Sequence, residues 1–127
     1  PSLAGHLPAL FIATPVLKAA GAFTLPGAGR LPAAISRLAG RGKQALFIYG
    51  GNWLAEPVSP AGLTASGLYG TSSNQQVLLA PTDTALQVDD LVFMRPTQSE
   101  AVLLQFGDLL AVRGGQVVER WPVFADI

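Results

Sequence analysis

The sequence predicts a mainly β domain, a small barrel or sandwich carrying one short helix. Three observations predict it. Short apolar, partly β-branched runs recur along the chain, separated by Gly, Pro and Asp clusters. Arg113-Gly114-Gly115 stands between two such runs, and Gly-Gly in that setting is a strong hairpin signal. Only one stretch repeats with a helical period.

In chain order, Pro8–Val16 (PALFIATPV) suits a strand between prolines. Ala19–Gly29 is small and Gly-rich, a loop. Leu31, Ala34, Ile35 and Leu38 fall at i, i+3, i+4 and i+7, with Pro32 near the start and Gly40 at the end, so this segment is the helix. Ala45–Tyr49 (ALFIY) is a buried strand stopped by Gly50-Gly51. Asn52 to Gln75 reads as one long irregular stretch, and a loop that long is usually functional or disordered. Gln76–Ala80, Leu91–Met94 and Ala101–Phe106 are further strands, the second preceded by a turn at Asp89-Asp90. Leu109–Val112 and Gln116–Arg120 form the hairpin. Strands this short at this spacing fit a barrel or sandwich.

The composition bounds the function. A chain of 127 residues is one domain by its length, 1–127. Half the residues are apolar and 13% are charged, which excludes a disordered tail. Eight basic residues balance eight acids, so the basic excess of a nucleic-acid-binding protein is missing. With no cysteine there is no disulfide, thiolate nucleophile or cysteine zinc site, and with His6 alone there is no histidine cluster. No apolar run approaches the roughly 18 residues that span a bilayer, and no signal-like segment opens the chain. The expectation is a cytoplasmic protein with no membrane partner. The start Pro1-Ser2-Leu3 lacks methionine, so a processed chain or a piece of a longer one is expected.

Charge is segregated. Residues 1–55 hold five basic residues and no acid, a net +5. Residues 56–127 hold eight acids against three arginines, a net −5. The halves either face each other or lie on opposite surfaces; the alternative is a basic face for a carboxylate or phosphate.

Gly27-Ala28-Gly29 lacks the third glycine of a dinucleotide fingerprint and the Gly-Lys-Ser/Thr ending of a Walker loop, and reads as a plain loop. His6 reads as a terminal surface residue or a lone base. The run Tyr69-Gly70-Thr71-Ser72-Ser73-Asn74-Gln75 leads into an apolar strand. Its hydroxyls and amides both donate and accept, which suits a polar pocket wall as well as a solvated turn. Arg95-Pro96-Thr97-Gln98-Ser99-Glu100 interrupts two strands; Pro96 has no N–H and ends the ladder. Arg95 and Glu100 either pair across this turn or face a ligand. Tyr49 and Trp53 flank Gly50-Gly51-Asn52 and form a stacking shelf or a core cap.

The segments Asp90–Glu100, Gly107-Asp108 and Val112-Arg113-Gly114-Gly115-Gln116-Val117-Val118-Glu119-Arg120-Trp121-Pro122-Val123-Phe124 resemble the C-terminal domain of fold-type III pyridoxal-phosphate (PLP) enzymes. The group is the D-threonine aldolase and D-serine dehydratase-like proteins, related to alanine racemase. Their C-terminal domains typically carry a strand, a Pro-x-His-x-Cys/Asp segment, a further strand and a closing VRGGRVVDxWP hairpin. ALFIYGGNW and YGTSSNQ also resemble that group, so the likeness covers about 8–124.

The resemblance implies an alanine racemase C-terminal domain-like fold. It further implies that this chain lacks the N-terminal (β/α)8 barrel, which would bind PLP and supply the cofactor lysine. The chain alone is then not catalytic; its parent is a PLP-dependent amino acid lyase or racemase. The implied partners are that barrel, a small amino acid substrate and a second subunit in a homodimer. Matching Pro96 to the family proline puts Gln98 on the histidine and Glu100 on the acid or thiol of the family's metal pair. An amide and a carboxylate replace imidazole and thiolate poorly at a zinc site, so loss of the metal is expected. Gln98, Ser99 and Glu100 are the candidate catalytic residues, and Tyr69, Ser72, Ser73 and Asn74 the candidate substrate wall. Two other classes compete: a stand-alone β-barrel binding a small polar ligand, and a dimer-forming module, favoured by a mean hydropathy of +0.40.

Overall fold

A computed structural model describes residues 5–19, 43–67 and 72–124. Eight strands are β1 (Ile12–Ala19), β2 (Lys43–Tyr49), β3 (Ala55–Ser59), β4 (Thr64–Ala65), β5 (Gln75–Pro81), β6 (Leu91–Pro96), β7 (Leu109–Arg113) and β8 (Gln116–Trp121). One helix, α1 (Ser99–Phe106), lies between β6 and β7. The expected helix at Leu31–Leu38 lies outside the described residues.

Six strands form an antiparallel sheet in the order β3-β6-β1-β2-β5-β4. Its edges β3 and β4 come against each other, so the sheet curls into a nearly closed barrel. Near-closure removes the exposed edges that an open sheet presents. β7 and β8 form a separate hairpin.

The barrel interior follows from side-chain alternation. Ile12, Thr14 and Val16 of β1 are buried, while Ala13 between them is exposed. Leu46 and Ile48 of β2 face Leu78 and Gln76 of β5 in register, and Val92 and Met94 of β6 face Thr14 and Ile12 of β1. These buried apolar side chains join one core cluster, to which Leu63 and Val102 add from outside the long strands.

Among the described residues, two buried polar atoms have no hydrogen-bond partner, Thr14 Oγ1 and Gln76 Oε1. A buried hydroxyl without a partner costs about 1–3 kcal/mol of desolvation, and valine has nearly the same shape. Thr14→Val is therefore expected to raise stability by about 1 kcal/mol. The check is the urea unfolding midpoint; an unchanged or lower midpoint would mean the hydroxyl is satisfied in solution.

Three departures from the sequence expectation have clear causes. Ala101–Phe106 is helical, not a strand, because an apolar run flanked by polar residues suits either state and Glu, Ala, Leu and Gln favour helix. Only Val102 of that run is buried, so tertiary packing decided the outcome. Second, Asn52–Gln75 is not one irregular stretch: it contains β3 and β4, the two barrel edges. β3 (AEPVS) carries Pro57, which hides it from a strand pattern, yet proline is tolerated on such an edge. Third, the first strand starts at Ile12 rather than Pro8 and runs on to Ala19. The Asp89-Asp90 turn is present, with Asp89 at φ 74°.

Candidate functional site

Strand direction sets which loops meet. β1, β3 and β5 run one way and β2, β4 and β6 the other. The start of β5, the end of β2, the start of β3 and the end of β6 therefore share one end of the barrel, here called the near rim. Both polar segments singled out in the sequence open onto it: 72–74 just before β5, and 97–98 just after β6.

These two segments lie on opposite sides of the mouth, separated in the sheet by β1 and β2 on one side and β3 and β4 on the other. Residues 50–54 run from β2 to β3 and touch both. On the β5 side, Gly50 donates its N–H to the Asn74 carbonyl at 3.4 Å. Gly51 sits so close that a Cβ there would overlap the Ser72 carbonyl oxygen and stand 3.0 Å from the Ser73 carbonyl carbon. Its φ of +107° also favours glycine. On the β6 side, Thr97 donates both its N–H (2.7 Å) and its hydroxyl (2.9 Å) to the Leu54 carbonyl. The segment is thus a strap across the barrel mouth.

Trp53, mid-strap, packs against the core, and its ring meets Phe106 of α1 edge-to-face at 4.9 Å between centroids. Of the two readings of the aromatic pair, Trp53 is a core cap, while Tyr49 stands exposed. Phe106→Ala is expected to cost about 1–2 kcal/mol, since an aromatic pair contributes about 0.5–1.5 kcal/mol beyond its area and Phe106 is partly exposed. A double-mutant cycle with Trp53→Ala checks this; additive losses would show that the ring contact contributes nothing.

The candidate residues fall as follows. Ser72 is committed to its own turn: its hydroxyl accepts the Gln75 N–H at 3.0 Å and donates to the Gln75 carbonyl at 2.9 Å, with Asn74 Oδ1 at 3.4 Å. It shapes the loop. Ser73 and Asn74 are exposed on the same rim. Tyr69 lies outside the described residues. Gln98 is the N-cap residue of α1 in extended conformation; its carbonyl accepts from Val102 N–H at 3.3 Å, its side chain makes no cap bond and is exposed. Ser99 opens α1. Glu100 is exposed in the first turn, where a carboxylate complements the positive helix end. The Arg95–Glu100 segment therefore joins a strand to a helix and is no hairpin loop. Arg95 stands opposite Glu56 in the β3–β6 register.

That Gly51 and Asn52 belong to a strap joining the two polar segments is the part of the rim the sequence does not show. Their signal is the glycine pair, which the sequence presents as a strand stop and as the spacer between Tyr49 and Trp53. His6 is exposed near the chain start, as a surface residue should be.

The near rim is an exposed polar surface over a plugged mouth. A shallow, open concavity lies at the other end of the barrel, lined by Pro60, Ala61, Pro81 and residues 83–86, with Gln44 Nε2 donating to the Thr84 carbonyl at 2.7 Å. Among the described residues no group of three or more His, Asp or Glu side chains gathers to hold a metal. Lys18 and Lys43, the two lysines of the chain, lie toward the opposite rim, Lys18 over the Phe47 ring at 5.6 Å.

No family model, curated protein or solved structure matches this chain.

Proposed function

We propose that this chain is the substrate-covering β domain of a PLP-dependent amino acid enzyme of the aldolase, racemase and dehydratase-like group, working against a separate (β/α)8 barrel. The observation that carries the proposal is the shared near rim. Ser73, Asn74, Gln98 and Glu100 stand exposed around one barrel mouth and present amide, hydroxyl and carboxylate groups there. A small-molecule site normally buries most of its ligand. Exposed groups such as these enclose a small substrate when a second surface closes over them. The alternative, a stand-alone barrel that binds a small polar ligand in the same two loops, uses the same rim; the strap, Trp53 and Val102 pack at that end of the lumen.

The residues present do not fit PLP on their own. Neither lysine stands at the polar rim, so the imine lysine and the phosphate site would have to come from the barrel partner. A divalent metal finds two candidate ligands, Gln98 and Glu100, straddling the start of α1, and among the described residues no three His, Asp or Glu side chains gather to hold one. What this chain would contribute is substrate contact. Gln98 would donate or accept a hydrogen bond, Glu100 would hold or move a proton, and Ser73 and Asn74 would line the facing wall. The cytoplasm is the proposed location, a homodimer the proposed assembly. No described helix is long and apolar enough to cross a membrane.

The protein purified from its own gene is expected to show the imine absorbance of lysine-bound PLP; a colourless protein with no reaction on added PLP would overturn the reading. In that protein, Glu100→Gln is expected to lower turnover by about 10²-fold or more if Glu100 transfers a proton. Unchanged turnover would remove Glu100 from the chemistry.

A further inference from the structure

The β7–β8 hairpin is unlike the rest of the fold. It pairs with no strand of the barrel, so both of its long edges are unpaired among the described residues. Every residue of β8 is exposed. Leu110 (55%), Val112 (65%) and Val117 (59%) are apolar side chains left open to water. A two-stranded ribbon alone is marginally stable in water, and a further strand or another packing partner stabilises it.

The two edges differ. β8 carries Glu119 and Arg120, and the register slips between Ala111 and Val112, leaving Val118 as an extra bulged residue on β8. Charge and a bulge are the devices that protect an edge from pairing. β7 has neither: Leu109-Leu110-Ala111-Val112 is regular and uncharged, with Arg113 only at its end. The β7 edge is thus the one without a device against pairing.

We propose that β7 pairs antiparallel with β7 of a second copy of this chain about a two-fold axis at Ala111, joining the hairpins into one four-stranded sheet. The sequence is self-complementary about that point. Leu110 falls opposite the other copy's Val112, and the reverse, giving two cross-strand apolar pairs. Arg113 falls opposite Leu109, next to Asp108, so no like charges meet. One patch that complements itself is what a two-fold interface requires. A second edge, β8, would bring charged Arg120 and Glu119 and the bulge to the seam instead. This inference is independent of any PLP chemistry.

The test is the mass of the 127-residue chain in solution by light scattering. A dimer of about 26 kDa, twice 13.2 kDa, is expected. Val112→Lys, a change at an exposed position, is expected to give the 13.2 kDa monomer with the β circular dichroism retained. Val117→Lys, opposite Val112 on β8, is expected to leave the dimer intact. On dilution of the wild-type chain, β7 amides should lose protection from hydrogen exchange while β8 amides do not change. A monomeric wild type overturns the proposal, including the case where β7 is protected only in a longer protein by a strand of its own chain. Dissociation by Val117→Lys as well would mean the hairpins stack by their faces and would overturn the edge geometry.

Discussion

Gly51→Ala is expected to destabilise the domain by about 3 kcal/mol or more. Two costs act together. The backbone at φ +107° is a conformation that alanine rarely adopts, and the added Cβ overlaps the Ser72 carbonyl oxygen. That oxygen belongs to main chain, so it cannot rotate away as a flexible side chain would. Either the strap lifts from the barrel mouth or the Ser72–Asn74 turn shifts. For a domain whose whole stability is of order 5–15 kcal/mol, the loss is a large fraction. Urea unfolding measures it, and amide chemical shifts of Ser72–Gln75 report the displacement. A loss below about 1 kcal/mol would mean the strap does not lie against Ser72. The experiment bears on function as well, since this contact ties the Ser73–Asn74 wall to the near rim.

Leu46→Ala is expected to cost about 3 kcal/mol, within the 2–5 kcal/mol range for such core truncations. Leu46 is fully buried and faces Leu78, also fully buried, across the β2–β5 register. The barrel wall around it is a hydrogen-bonded ladder and cannot collapse inward to fill the void. Leu110→Ala, on the exposed face of the hairpin, removes the same atoms and is expected to change the stability of the barrel by less than about 0.5 kcal/mol. Denaturant midpoints of the two variants compare burial directly. Equal losses would show that the hairpin face carrying Leu110 is as deeply covered in solution as Leu46 is in the barrel.

The near rim also explains why the two polar segments drew notice while neither forms a site alone. Ser72 uses its hydroxyl to build its turn, and Gln98 uses its carbonyl to start α1. Ser73, Asn74, Gln98 and Glu100 are exposed on opposite sides of a mouth held by residues 50–54. Recognition on such a surface depends on what is pressed against it.

The strands β1, β2, β5, β6, β7 and β8 and the Asp89 and Gly114-Gly115 turns were legible in the sequence, because alternation and turn residues are local signals. So was the polar character of both loops. The sequence could not tell α1 from a strand. Ala101–Phe106 has too few residues to separate the two periods, and burial of Val102 with the Phe106–Trp53 contact settled it from a distance of some fifty residues along the chain. It could not show β3 and β4 either, since a proline-bearing edge and a two-residue strand carry almost no pattern; they exist because the sheet needs edges that meet. Composition and local pattern thus determined the β class, the strand positions and the residue chemistry available. Only the tertiary structure decided that the two polar segments share a rim, that a glycine strap joins them, and that the hairpin stands apart. These depend on strand direction and long-range register, which are fixed by how the whole sheet closes.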